Sequence, residues 1–161
     1  MKLLTKTSMT SRYVKPHKKV SRAVSMQDLE LVATDAEVMI RMCREQHGVH
    51  MAAFAIAHSQ INDADPLRFF VLANGMVILN PVITRHTNVP MNKEEGCMSF
   101  PDLGKTTLPR YTTIEVEYAL LIKLGGRPAF SKKHQEKLKG MEAQIWQHEV
   151  DHMNGKYIYK V

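Results

Sequence analysis

Two histidines and a glutamate at positions 148–152 have a spacing that can support hydrolytic chemistry. The segment QHEVDH, positions 147–152, contains the pattern H-E-x-x-H. On a helix, residues four apart share a face, so His148 and His152 can both bind one metal ion. Glu149 lies beside the first ligand and can reach a water molecule at that metal. The alternative is two unrelated core or surface histidines, since the chain has eight histidines.

A third ligand decides which class of metal site this pattern belongs to. Thermolysin-like peptidases use an acidic residue well downstream, but the sequence ends nine residues after His152. Metzincins continue as H-x-x-G-x-x-H, and here Gly155 is present but Ile158 replaces the histidine. We therefore expect neither type of peptidase. Cys97 is the upstream candidate, because a thiolate is a good ligand beside two imidazoles. The alternative is that Cys97 is simply a small buried hydrophobic residue. For Cys43 we predict such a core position.

The histidines lie where a predicted helix continues its apolar face. Ser131 can cap the start of this helix and Gly155 can end it. Three apolar residues at spacings of three and four form one face of the helix: Leu138, Met141 and Ile145. His148 and His152 continue this spacing and extend the same face.

Strand patterns precede this helix. Asn74-Gly75 between two apolar runs predicts a hairpin, because both residues of a type I′ turn need positive φ. Pro81 is expected to end the second strand, and residues 84–93 to form a polar loop. Residues 112–124 alternate as a strand, with a turn at Gly125-Gly126, and an earlier helix is predicted from Asp35 to about His47. This order predicts an α+β fold, with antiparallel strands packed around a C-terminal metal-binding helix.

Length and composition limit the functional classes. The chain has 161 residues, 44% of them hydrophobic and 24% charged, which predicts a single globular domain over residues 1–161. The longest apolar run, residues 51–57, is too short for a transmembrane helix, and the first residues have no signal-peptide core. Two cysteines suit a reducing compartment, so we expect a cytoplasmic protein without membrane or DNA partners. A basic N-terminal arm, about residues 1–25, contributes to the net charge of +6; it either remains solvated or contacts RNA.

The two segments that carry the candidate ligands resemble one family closely. Residues 95–99, EGCMS, resemble the E-G-C-L-S motif of peptide deformylases, with methionine in place of leucine. Residues 147–152 match that family's Q-H-E-x-D-H motif. The resemblance covers residues 39–159. The abrupt end after this region resembles the shortened, virus-encoded members of the family.

The family's first motif, G-x-G-x-A-A-x-Q, is where this sequence departs, and two alignments compete. Residues 48–55 keep the first glycine and both alanines but lose the glutamine. Residues 53–60 keep the glutamine, as Gln60, and one alanine but lose both glycines. We favour the second alignment, because the chemistry needs a side-chain amide near the metal.

The resemblance implies hydrolytic removal of the formyl group from the N-terminal formylmethionine of newly made polypeptides. Cys97, His148 and His152 are then the ligands of one divalent metal ion, Fe²⁺ or Zn²⁺. Glu149 is expected to take the proton of the attacking water and to pass it to the leaving amine.

Further residues are expected to support this reaction. The Met98 backbone N–H and the Gln60 amide would hold the oxyanion. Met141 and Ile145 would line the pocket for the substrate's methionine, or else belong to the core. A Glu95–Arg110 pair would fix the ligand loop.

Two other functions stay open at this stage. One is a catalytically weakened, metal-stabilised module that binds the ribosome, favoured by the degenerate first motif. The other is a metallohydrolase acting on a different small amide. For an active enzyme, we expect N-formylmethionyl peptides as substrates and transient contact with the ribosome.

Overall fold

The computed structural model describes residues 18–45, 54–87, 89–100 and 103–159. Helix α1 spans Leu29–Glu45. It begins earlier than the sequence predicted because Asp28 accepts a hydrogen bond from the Ser25 backbone N–H at 2.8 Å, which caps the preceding turn. The end expected near His47 lies outside the described residues. None of the described helices is both long enough and apolar enough to cross a membrane.

An antiparallel sheet forms the centre of the molecule. The strands are β1 (Ala55–Ala57), β2 (Phe69–Leu72), β3 (Val77–His86), β4 (Pro90–Gly96), β5 (Lys105–Tyr111), β6 (Thr113–Leu124), β7 (Arg127–Phe130) and β8 (His134–Lys139). The pairing order of the central sheet is β1-β2-β3-β6-β7, and β8 also pairs with β6. A separate two-stranded sheet consists of β4 and β5. Helix α2 (Gly140–Met153) follows β8, so the predicted α+β architecture is confirmed.

The predicted hairpin is present, but its second strand is longer than expected. Strands β2 and β3 flank Asn74-Gly75. The expected type I′ turn was wrong, because Gly75 has a φ of +97° but Asn74 does not have a positive φ. The predicted stop at Pro81 was wrong, because the β3–β6 register shifts between Leu79 and Val82. Such a bulge removes the need for the N–H that proline lacks. Consequently β3 runs to His86 and β4 begins at Pro90, where a loop had been predicted.

The region before the metal-binding helix also differs from the prediction. The expected strand and Gly-Gly turn are present, as β6 and the turn before β7. The helix does not start near Ser131, because residues 134–139 instead pair with β6, with Leu138 opposite Ile114. Gly140 has a φ of +58°, which separates strand from helix.

The two helices cover opposite faces of the sheet. Phe69 and Val71 point toward α1, and they share a buried cluster with Met39 of that helix. Phe70, between them on β2, packs in a second cluster with Trp146 of α2. This alternation follows from the two-residue period of a strand. The predicted core position of Cys43 is confirmed, since that residue is fully buried.

Residues 18–25, called here the N-terminal strap, lie against the end of α2. The Ser21 backbone N–H donates to the Met153 carbonyl at 2.8 Å, and Arg22 forms a parallel bridge with Leu67. A Cβ at Gly155 would lie 2.5 Å from the Lys18 carbonyl oxygen, so the strap passes very close to this glycine. The described part of the predicted basic arm thus packs on the fold, while residues 1–17 lie outside the described part of the chain.

Candidate metal centre

Helix α2 brings both histidines of the H-E-x-x-H pattern to one point. The Nε2 atoms of His148 and His152 are 2.9 Å apart, as the helical spacing predicts. The sulfur of Cys97, which follows β4 directly, lies 3.3 Å from the His152 Nε2. The three potential ligand atoms all lie within 4.8 Å of one another. The sequence-predicted ligand set is therefore assembled from the end of β4 and one face of α2.

The chemistry of this donor set suits a tetrahedral cation. With bonds of about 2.0 Å to nitrogen and 2.3 Å to sulfur, neighbouring ligand atoms of a zinc-type site are about 3.3–3.6 Å apart. The separations observed here, 2.9 and 3.3 Å, are slightly shorter. Cys97, His148 and His152 could hold such an ion, and a water or substrate oxygen would then complete its coordination.

A buried ion-pair network holds the first histidine in place. His148 Nδ1 donates to a Glu95 carboxylate oxygen at 2.9 Å, so its Nε2 is left to face the centre. Arg110 donates two hydrogen bonds of 2.7 and 2.9 Å to the same carboxylate. Its Nη1 donates a third hydrogen bond, of 2.5 Å, to the Asp151 carboxylate. Burial raises the pKa of Glu95, but hydrogen bonds from Arg110 and His148 outweigh this effect and bring it to about 2. The carboxylate is therefore charged and fixed.

The two imidazoles differ in their protonation. Burial and the neighbouring His148 keep the pKa of His152 well below its usual value, so this ring is neutral. Burial would also lower the pKa of His148, but hydrogen bonds to Cys97 and Glu95 raise it to about 10. A cation held by both rings would compete with any proton on the His148 Nε2.

Glu149 combines deep burial with an unused oxygen atom. Its Oε2 is buried and has no hydrogen-bond partner among the described residues. Burial raises the pKa of its carboxyl to about 7. A carboxylate in these conditions can exchange a proton with a water molecule or an amine near neutral pH.

Gln60 lies beside the cysteine, in a short 3-10 turn (His58–Gln60) that follows β1. Its Oε1 accepts a hydrogen bond from the Ala57 backbone N–H at 2.9 Å. Its Nε2 donates to the Ser99 hydroxyl at 3.1 Å and lies 3.9 Å from the Cys97 sulfur. This placement agrees with the second alignment of the first motif. The competing alignment, residues 48–55, falls mostly outside the described residues.

A cavity of about 420 Å³ opens next to this cluster. Its lining includes Met98 and both residues predicted for a methionine pocket, Met141 and Ile145. Met141 is 64% exposed, whereas Ile145 is partly buried, so the two contribute at the rim and deeper in the cavity, respectively. The cavity also reaches Gln60, Cys97, His148 and Glu149.

Some supporting contacts were not anticipated from the sequence. Gln147 of α2 binds the backbone of Tyr111 on β5 through both atoms of its amide, at 2.9 and 2.8 Å. This contact ties the helix to the sheet that leads to Cys97. The motif around the histidines contains Gln147, but its spacing gives no sign of a partner on another strand.

The fold and the site together define a class of protein. An H-E-x-x-H helix, a mid-chain cysteine and a buried glutamate beside a cavity are the apparatus of a metal-dependent hydrolase. Glu149, His148 and Cys97 all line that one cavity.

Comparisons with known proteins give the family. The polypeptide deformylase family model matches residues 11–161. The peptide deformylase of Thermotoga maritima is 33% identical over 144 residues, which cover 88% of this chain and 77% of the relative. The crystal structure of peptide deformylase from Thermotoga maritima matches with a TM-score of 0.68 and 30% identity, covering 88% of this chain and 86% of that one. A peptide deformylase from Legionella pneumophila matches with a TM-score of 0.67 and 29% identity, covering 87% and 76%.

The chain belongs to the peptide deformylase family. It is a metal-dependent hydrolase that removes the N-formyl group from newly made polypeptides. This assignment favours an enzyme over the ribosome-binding module that the degenerate first motif had left open.

Proposed function

We propose that Cys97, His148 and His152 hold one divalent metal ion and that deformylation takes place in the adjoining cavity. The observation that carries this proposal is the approach of a thiol and two imidazole nitrogens to within 4.8 Å of one another. When bound, the ion acts as a Lewis acid and lowers the pKa of a water molecule toward neutrality. A set of one sulfur and two nitrogens suits Zn²⁺, and Fe²⁺ is the alternative from the family resemblance.

Glu149 is the proposed general base and acid. It accepts the proton of the attacking water and later delivers it to the amine that leaves as the formyl group is released. Its buried Oε2, which has no hydrogen-bond partner in the described part of the chain, and a pKa of about 7 support both steps, because the group can gain and lose a proton near neutral pH.

Gln60 and the backbone N–H of Met98 are the proposed oxyanion donors. Both residues line the cavity beside Cys97. The Gln60 amide is already oriented by Ala57 and Ser99, so little reorganisation is needed when charge develops on the formyl oxygen. Loss of one such donor typically lowers kcat by about 10²–10³-fold.

Met141 and Ile145 are proposed to contact the methionine side chain of the substrate. Ile145→Ala is expected to raise KM for formyl-Met-Ala peptides by roughly 10-fold, since a few buried methylene groups contribute about 1–3 kcal/mol to recognition. Met141→Ala is expected to have a smaller effect because its side chain is more exposed. Equal KM values for both variants and the parent enzyme would remove these residues from the pocket.

The decisive experiment replaces the proposed base without touching the ligands. Glu149→Gln is expected to abolish turnover of formyl-Met-Ala while one equivalent of metal stays bound, as measured by elemental analysis. Glu142→Gln, an exposed position on the same helix, is the matched control and is expected to retain activity. Near-normal turnover by Glu149→Gln would refute the proposed role.

Three parallel assays address the metal, the substrate class and the partner. Reconstitution of anaerobically purified protein with Fe²⁺ or Zn²⁺ identifies the more active metal. Acetylated and unmodified peptides, offered in place of formylated ones, are expected to remain uncleaved. Of the seven basic residues among positions 1–27, Arg22 pairs with Asp28 and Asp65. The charge of the others supports transient contact with the ribosome, in the bacterial, organellar or infected-host cytoplasm. Salt-sensitive co-sedimentation with ribosomes tests this contact.

A further inference from the structure

The turn that carries Gln60 is secured by a buried histidine outside the metal centre. His58 is completely buried, and its ring stacks on Phe69 with centroids 4.7 Å apart. Its Nδ1 accepts the Leu67 backbone N–H at 2.9 Å. The proton of a neutral ring must then be on Nε2, which lies 3.1 Å from a carboxylate oxygen of Asp35. Both ring nitrogens are thus used, and one tautomer is specified.

These two hydrogen bonds join three separate parts of the chain. Asp35 belongs to α1, His58 begins the 3-10 turn, and Leu67 precedes β2. Residues 63–65, between the turn and Leu67, are exposed, and the hydrogen bond from the Leu67 N–H to the His58 ring joins the two ends of this segment. On the other side, the turn is preceded only by β1, a three-residue strand at the edge of the sheet.

Gln60 depends on this turn for its orientation. The Ile61 and Asn62 backbone N–H groups both donate to the His58 carbonyl, at 3.0 and 2.9 Å, which sets the curvature of the turn. The Gln60 side chain then points back to Ala57 and across to Ser99.

We propose that His58 and Asp35 are positioning residues, which hold the 3-10 turn so that the Gln60 amide faces Cys97 and the cavity. The catalytic consequence rests on the role proposed above for Gln60. The structural part does not, because it concerns only where the amide lies. Asp35 acts by fixing the ring, and His58 acts by fixing the turn.

Asp35→Ala is the informative variant. The Asp35 side chain is 26% exposed and lies on a helix, where alanine is favourable, so the fold is expected to survive. Asp35→Asn keeps an oxygen that can accept the Nε2 proton, and it is the conservative rescue. Asp65→Ala is the matched control, since it removes a carboxylate that binds Arg22 near the same segment but not the His58 ring.

Two readouts are needed on the zinc-loaded holoenzyme. The side-chain amide resonances of Gln60, measured by NMR, report its hydrogen bond to Ser99 directly. In Asp35→Ala they are expected to move toward the values of a solvent-exposed amide. We also expect kcat to fall about 10-fold with KM within about 2-fold, because a displaced donor loses only part of its transition-state contribution. Asp35→Asn and Asp65→Ala are expected to keep both properties of the parent enzyme.

The outcomes separate this proposal from the proposed function. Unmoved Gln60 resonances in Asp35→Ala would overturn the proposal, whatever happened to activity. The same displacement in Asp35→Asn or Asp65→Ala would also overturn it, because the effect would then not come from the hydrogen bond to His58. Displaced resonances with unchanged kcat would support the positioning role and instead refute the role of Gln60 in catalysis.

Discussion

Replacement of Glu95 by glutamine tests whether the ion-pair network holds the metal centre. The side chains of Glu95 and Arg110 are only 4% and 8% exposed. Glutamine has the same shape, but its NH₂ group must face a donor in either orientation. At one position it meets the Arg110 Nε–H, and at the other it meets both Arg110 Nη2 and the His148 Nδ1–H. At least one buried donor then loses its acceptor, and the guanidinium keeps only Asp151 as a charged partner.

The expected magnitude follows from these contacts. Removing one partner of a buried ion pair typically costs about 3–5 kcal/mol of unfolding free energy. Loss of a carboxylate behind a metal-bound histidine typically weakens metal binding by about 10–100-fold. We therefore expect Glu95→Gln to show both effects. Arg110 and His148 would each contribute, because the same carboxylate serves both.

Two measurements and one control complete this test. Urea unfolding can be followed by the fluorescence of the single tryptophan, Trp146. With a chelator present, this measurement gives the contribution of the ion pair to the free energy of unfolding without that of the metal. Competition with a chromophoric chelator gives the zinc affinity. Glu94→Gln alters the neighbouring carboxylate, which is 63% exposed and pairs with Lys105, so its cost should stay below about 1 kcal/mol. Equal stability and zinc affinity in the two variants would refute this reasoning.

Two further predictions concern the N-terminal strap. Gly155→Ala should lower the free energy of unfolding by more than about 1 kcal/mol, because φ is +68° and the new Cβ would meet the Lys18 carbonyl. Gly126→Ala is the control for backbone strain, because φ is +79° there and no described atom outside the neighbouring residues would lie within 4 Å of the new Cβ. Equal losses of unfolding free energy in the two variants, measured with urea, would exclude the close contact at Gly155. The hydrogen bonds of Arg22 hold the pKa of Asp28 well below its usual range. The stability that Asp28 contributes is therefore present above pH 4 and lost progressively in more acidic solution, and the difference between the parent and Asp28→Asn should shrink in urea titrations at pH 3 compared with pH 7.

The sequence predicted the centre of the site better than its surroundings. Helical geometry relates His148 to His152 locally, so their common direction can be inferred from spacing alone. The approach of Cys97 depends on the pairing of β4 with β5 and on the Gln147 clamp, which are contacts between distant segments. No periodic pattern encodes such contacts. The chemistry of a thiolate made Cys97 a candidate for the third ligand, and the resemblance to the family motif supported that choice.

The errors have local physical causes. Leu138, Met141 and Ile145 satisfy a helical period, but Leu138 belongs to a strand, because Gly140 adopts a positive φ between strand and helix. The expected stop at Pro81 ignored the bulge that accommodates it. The contact of His58 with Asp35 gave no signal in the sequence, since it joins residues 23 positions apart on different elements.

The order of the ligands along the chain has a consequence for synthesis. Cys97 precedes His152 by 55 residues. At about 5–20 residues per second, a translating ribosome delivers the second histidine about 3–11 s after the cysteine. Until then the nascent thiol lacks the complete pair of imidazoles, and α2 is not complete. The thiol is therefore more accessible during synthesis than in the folded protein, where Cys97 is buried.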